Sequence, residues 1–227
     1  MVGPPTATSD VLGALFLRLP LLYVWLRSRG TLGDTRGERS DRGENGAASP
    51  LLRHPRFTSA ERLSGAMTPH SFRESVEEAK RPQLDELGSS RLLVSLTGDD
   101  PTGRAVLRAA AHSEHAARET FRTWAESESD ADAAAAFEAT VDQEAEHLAR
   151  VLGALDEDVD LSGDPGPMHA YLRGRDDTVQ RVAAGMVGRC LVSVRTHAQV
   201  VAFFENDGDS RRADLFRDLL TETEATL

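Results

Sequence analysis

Three residues near the middle of the chain combine the types and spacing of a metal-ligand set. Glu144 and His147 stand three apart in Glu144-Ala-Glu-His147, which on a helix places a carboxylate and an imidazole on one face. Glu114 precedes them in another helix-patterned stretch. Carboxylate oxygen and imidazole nitrogen together suit iron, with manganese as the alternative, and such a set leaves positions open for oxygen chemistry. A lone Glu-x-x-His in an acidic helical chain is most often a solvent-facing pair, so its weight depends on where the helices put it.

Those helices are predicted at Pro101 to about Ser127 and about Asp130 to Leu155. The first carries an inward stripe of Leu107, Ala110, Glu114, Ala117, Phe121 and Trp124, at bundle spacing. The second carries Phe137, Val141, Glu144, Leu148, Val151 and Leu155, with His147 beside it. A carboxylate therefore holds an apolar position in each helix. The turn falls near Ser129, so Glu114 is expected level with Glu144 and His147 when the helices fold back. Two carboxylates in one core need a cation, shared protons or positive partners, because an unpaired buried charge costs several kcal/mol. Arg118, Arg189 and Arg195 are candidates for neutralising them without metal.

The rest of the chain supplies a second hairpin. Ser71 to Lys80 reads as a short acidic helix with Phe72, Val76 and Ala79 on one side. Pro82 interrupts it, and Leu84, Leu87, Leu92, Leu93 and Leu96 suggest another short helix. Asp100-Pro101 reads as a cap with proline at the first helical position. Asp156 to Pro167 is an acidic, turn-rich crossover. Asp176 or Asp177 can cap a third long helix running to about Asn206, and Ser210 to Leu227 is the fourth. No β pattern of any length occurs. The expected fold is all-α, an antiparallel four-helix bundle of two hairpins over residues 101–227, with short helices over 67–100.

An offset of 79 relates the two hairpins: Trp124 to Phe203, Glu126 to Glu205, Asp130 to Asp209 and Phe137 to Phe216. With these residues in view, 101–227 resembles the ferritin-like superfamily and within it the rubrerythrin family, in which each half gives one Glu and one Glu-x-x-His to a di-iron site. The resemblance rests on Glu114 with Arg118, Phe121 and Trp124-Ala125, then Phe137-Glu138 and Glu144-x-x-His147. It implies that Glu114, Glu144 and His147 are metal ligands and that iron-dependent redox or peroxide chemistry is the activity. The second hairpin departs from the pattern. At the same offset Ser193, Thr223 and Thr226 replace all three ligands, and the four cysteines of a rubredoxin-type module are missing. One chain thus offers only one half-site, enough for a mononuclear centre. Two chains meeting about a two-fold axis would supply a di-metal set, so a homodimer is one expectation. The alternative is a metal-free helical interaction or regulatory module that has lost catalysis. No catalytic residue is assigned.

Among the remaining candidates, Cys190 falls on the third helix's inward stripe with Met186 and Ser193 and is expected to act as a small apolar residue. His197 flanks the stripe and could be a fourth ligand or a partner for a core carboxylate. His112 and His115 bracket Glu114 but point away from it, as surface residues.

Charge divides the chain near residue 66, with a net of +3 over 1–66 and −14 over 67–227. The acidic part is a poor nucleic-acid binder. With 25 Arg and a single Lys, Lys80, the composition resembles that of halophilic proteins, whose carboxylates hold hydrated ions at the surface. One cysteine allows no disulfide framework within the chain and points to the cytoplasm. The apolar stretch Val11 to Leu26 is too short to span a bilayer and contains Arg18 and Pro20, so no membrane association is expected. Residues 30–50 read as disordered, and Met67 is the expected natural start, with 1–66 a leader from upstream translation.

Overall fold

A computed structural model describes residues 68–89, 91–97, 101–155 and 157–227. The expected leader, the Met67 start and the Asp100 cap lie outside the described residues. Among those described, the chain is entirely helical.

Helix α1 (Pro69–Leu87) is capped by the Thr68 hydroxyl, which accepts from the Ser71 N–H. It runs on through Pro82, where the sequence suggested a break. The reason is its buried stripe of Val76, Lys80, Leu84 and Leu87, which continues past an exposed proline. The hydrogen bond that proline removes is on the wet side, where water can replace it. Ala79, expected inward, is exposed, and the Lys80 stem takes that place. Helix α2 (Arg91–Leu96) is correspondingly short.

Helices α3 (Gly103–Ser127) and α4 (Ala131–Gly153) form the first hairpin. Thr102 caps α3 by accepting from the Ala105 N–H at 3.2 Å, and Pro101 stays outside the helix. Asp130 caps α4 by accepting from Asp132 and Ala133. Where the spacing predicted only a crossover loop, a further helix follows: α5 (Gly166–Arg173), which buries His169 and Leu172 against the α3 side of the core. Asp177 then caps the one-turn α6 (Thr178–Arg181). This runs without a break into a π-helical segment, Val182–Arg189, and on into α7 (Cys190–Asn206). Asp209 caps α8 (Ser210–Ala225), and α7 with α8 makes the second hairpin.

The π segment has i→i+5 bonding and so rotates the residues that follow it. It also packs at its tightest point against the first hairpin. A Cβ on Gly185 would lie 2.5 Å from the Trp124 ring, so only glycine lets the backbone come that close.

The two hairpins turn differently. α3 leaves through an extended Glu128, whereas α7 leaves through Asp207 and Gly208, with φ +76°. In the second turn the Asp209 N–H donates to the Phe204 carbonyl and the Gly208 N–H to Glu205, a Schellman closure that needs the left-handed glycine. The caps Asp130 and Asp209 and the core rings Phe137 and Phe216 match as the repeat predicts. In the helix before the turn, burial is displaced by one residue: Trp124 is matched by Phe204, and Phe203 is only half-buried. Ser193, expected in the position matching Glu114, is likewise half-buried, with Val194 inside.

Two apolar clusters hold the hairpins together. One contains Phe121, Trp124, Phe137, Leu172 and Leu191, the other Leu107, Val151, Phe204, Phe216 and Leu219. Between these clusters α3, α4 and α7 bury a polar group: Glu114, Glu144, His147 and His197.

Candidate metal centre

Glu114, Glu144 and His147 meet as the turn arithmetic requires. Each offers a ligand atom within 4.8 Å of the others, and all three are buried, at 4, 2 and 1 % exposure. Apolar layers above and below exclude water, so the charges here interact far more strongly than surface ones.

Each ligand candidate is held on one side by a second residue. His147 Nε2 lies 2.8 Å from Glu222 Oε2, and Arg150 Nη1 donates to both Glu222 oxygens at 2.8 and 2.9 Å. The opposite nitrogen, Nδ1, faces Glu114 Oε2 at 3.8 Å. A carboxylate that fixes one nitrogen of a histidine leaves the other as the inward lone pair, the usual outer-shell arrangement of a metal-ligating imidazole. His197 Nε2 meets Glu114 Oε1 at 3.2 Å. Arg189 Nη2 donates to Glu144 Oε1 at 2.8 Å, and its guanidinium stacks over Phe121. The other Glu144 oxygen, Oε2, is buried without a hydrogen-bond partner.

Protons divide unequally between the two acids. Burial, opposed by Arg189 and reinforced by the charge of Glu114, pushes Glu144 up to about 8. Burial would raise Glu114 too, but the neighbouring His147 and His197 imidazoles and a protonated Glu144 outweigh it and hold Glu114 well below the usual carboxylate range. The orphan Oε2 describes the ionised Glu144, since two carboxylates cannot bond to each other; a proton on Glu144 lets them share it. Burial disfavours the His147 cation, yet Glu114, Glu144 and Glu222 together raise its pKa.

The three residues form a group that could hold a metal ion. Glu114 Oε2, Glu144 Oε2 and His147 Nδ1 are the atoms left after His197, Arg189 and Glu222 have taken theirs. Arg189 already supplies one positive charge, so a divalent ion would displace the shared proton and leave the guanidinium in place.

Of the other sequence candidates, Arg189 is the one arginine that pairs with a site carboxylate; Arg118 and Arg195 make no ion pair with either acid. His197 takes the partner role for Glu114. His112 and His115 are half-buried, outside the cluster. Cys190 is buried at 1 %, with its thiol pKa raised by that burial, as expected of an apolar core residue. Thr223 donates to the Leu219 carbonyl, and Thr226 donates to Gln143 and Glu222. Neither faces the cluster as a ligand.

Two contributors escape spacing rules. Glu222 adjoins Thr223, and with Arg150, three residues after His147, it forms the support of that imidazole. His169, from the unforeseen α5, places Nδ1 3.2 Å from the Thr120 hydroxyl and leaves Nε2 without a hydrogen-bond partner. Burial, then the charges of Arg189 and Arg173, push its pKa down to about 3, so it is neutral.

Compared with protein-family models, with curated proteins and with solved structures, the chain matches none. Among the described residues no helix is long and apolar enough to cross a membrane.

Proposed function

We propose that this chain is a metal-binding protein built on a ferritin-like, rubrerythrin-like four-helix bundle, with a single mononuclear centre of Glu114, Glu144 and His147. The observation that carries the reading is the support of each donor from outside. Glu222 holds His147 by Nε2 while Nδ1 faces Glu114, His197 meets Glu114 Oε1, and Arg189 holds Glu144 Oε1. Iron is the first candidate and manganese the second, on the oxygen and nitrogen character of the set. Iron held there would supply redox chemistry toward oxygen or peroxide. The chain's own residues orient the ligands, exclude water through the two apolar layers and leave His197 beside Glu114 to hold or pass a proton.

The second half is not a degenerate copy awaiting a partner subunit. The π segment, α7 and α8 cover the triad themselves, with Arg189, His197 and Glu222 in contact with it. A centre shared across a two-fold axis would need that cover removed, so a mononuclear centre fits the geometry better.

A second reading has its own observation. Arg189 is a permanent cation on Glu144, and a shared proton completes the charge balance, which makes a metal-free core self-consistent. Metal analysis of the full chain, beside Glu114→Ala, separates the two. About one iron or manganese per chain, lost in the variant, supports the centre. No metal after supplementation with either ion, together with unchanged stability in the variant, supports the metal-free bundle and overturns the first reading.

A further inference from the structure

Beside the centre, on the side of Glu114 and His197, lies a cavity of about 80 Å³. Leu92, Leu93 and Leu96 of α2 line one side, and Val192, Val200 and Phe216 line another. Its polar edge is made by Glu114, Ser193 and His197. His197 is 5 % exposed and its Nδ1 has no hydrogen-bond partner, so a residue of the cavity's lining holds an idle buried donor or acceptor. Leaving a buried polar atom unmet costs stability, which a ligand's head group recovers.

The cavity has a way out. Leu96, Ala109, Ser113 and Met168 line it and also line a surface hollow that reaches Gly163 to Pro167. Leu96 is 43 % exposed, and it belongs to the six-residue α2, one of the shortest helices against the core. Met168, beside it, has an unbranched chain that changes rotamer readily.

We propose that this cavity binds a small neutral amphiphile, an apolar body of about three to five heavy atoms ending in one hydroxyl-type group that meets His197 and Glu114. Size follows from volume. A cavity of about 150 Å³ holds benzene and a water takes about 30 Å³ in the liquid, so this one suits a short-chain alcohol. Charge follows from the lining: the layer beside the cavity already buries two acids, Glu114 and Glu144, against one guanidinium, so a third carboxylate is disfavoured, and a bare hydrocarbon would leave His197 Nδ1 unmet. The proposal rests on the metal-centre reading only in making this molecule a neighbour of the metal; binding itself requires the cavity alone.

The test uses the full chain with methyl-labelled Leu and Val, titrated with ethanol through 1-hexanol and with butyrate, once metal-free in chelator and once with iron(II) or manganese. Saturable shifts confined to Leu92, Leu93, Leu96, Val106, Val192 and Val200, greatest for propanol or butanol and at about millimolar dissociation constants, are expected. Ala110→Leu, which fills the cavity, should weaken binding at least tenfold. Leu96→Ala, at the exposed mouth, should keep binding and move the preferred chain length upward, so the proposal can still fail if Ala110→Leu does not fold. Shifts that do not saturate, butyrate binding as well as butanol, or a chain-length preference unmoved by Leu96→Ala would overturn the proposal. Alcohol binding without stoichiometric metal would remove the metal reading and keep the cavity. Metal binding without alcohol binding would do the reverse.

Discussion

The two hairpins share a plan and contribute opposite chemistry. α3 and α4 bring the acids and one imidazole: Glu114, Glu144 and His147. The second half brings Arg189 and His197 against those acids, and from α8 the carboxylate that supports His147. A duplicated site would repeat its ligands; here the second copy complements the first. Burying two carboxylates in a dry layer is tolerable because the facing half carries a guanidinium and an imidazole at the same level. The loss of ligands in the second hairpin therefore leaves a different site in place of an empty half.

Breaking that complementarity should have the largest effect. Arg189→Met removes the one permanent cation from a buried pair of acids, and above a pH of about 8, where Glu144 is ionised, stranding that buried charge costs about 3–5 kcal/mol. The metal-free variant should lose that much in urea denaturation, and metal should restore most of it if the centre binds a divalent ion. A variant as stable as the parent without metal would show that the two halves are not electrostatically dependent.

Glu222→Gln tests the one ligand support that the second hairpin gives as a carboxylate. Outer-shell partners of ligating histidines are worth about 10–100-fold in metal affinity. Competition with a chromogenic chelator should show a loss in that range, while Asp218→Asn, on the same helix and more exposed, should show little.

Protons and metal compete for the same oxygens, which gives the comparison a pH signature. Glu144 is raised to about 8 in the folded chain against an ordinary value of 4.5. Its contribution to metal-free stability is fully present below about 4.5 and is lost as pH rises through about 8. Glu114, lowered, acts oppositely, with its contribution present above 4.5 and lost in acid. Metal-free protein should thus weaken as pH rises from about 4.5 to about 8, metal affinity should rise over the same interval, and Glu144→Gln should flatten the stability profile there. An unchanged slope in that variant would assign the pH dependence elsewhere.

The smallest effect concerns the turns. Gly208→Ala places a side chain at φ +76° and should cost about 1 kcal/mol. Glu128→Ala in the other turn meets no such backbone strain, but it breaks contacts to Arg181 and Thr178 that tie the first turn to α6. Thermal melts with and without metal should show Gly208→Ala lowering both states equally, since the glycine closes a turn away from the centre.

Much of the first hairpin was legible because its information is local. A stripe interrupted by Glu114 and Glu144, and a turn near Ser129 flanked by a capping Asp130, suffice to bring three side chains to one level. The same periodicity misread Pro82 as a break, since a helix tolerates proline on its wet face when the buried stripe continues beyond it. It also missed α5, whose eight residues are too few to display a period. The repeat placed caps and aromatic rings correctly and then assigned Ser193 to an inward position that the Schellman turn at Gly208 gives to its neighbour. One residue of displacement is about 100° of helix rotation, enough to exchange a wall residue for a core one.

Sequence by itself determined the all-helical class, the cap at Asp177 and the meeting of Glu114, Glu144 and His147, because spacing within and between adjacent helices fixes which residues share a face. The cap of α3 fell on Thr102 in place of the expected Asp100. Only the tertiary structure decided what stands opposite them. Among three candidate arginines it is Arg189 that reaches Glu144, after a π segment that Gly185 allows to press against Trp124. Glu222 reaches His147 from the helix that carries Thr223 and Thr226 at the positions matching ligands of the first hairpin. Those contacts depend on the rotation of α7 and α8 about their axes, which is set by the turn, the π segment and the packing of two apolar clusters, and no spacing rule along the chain encodes it.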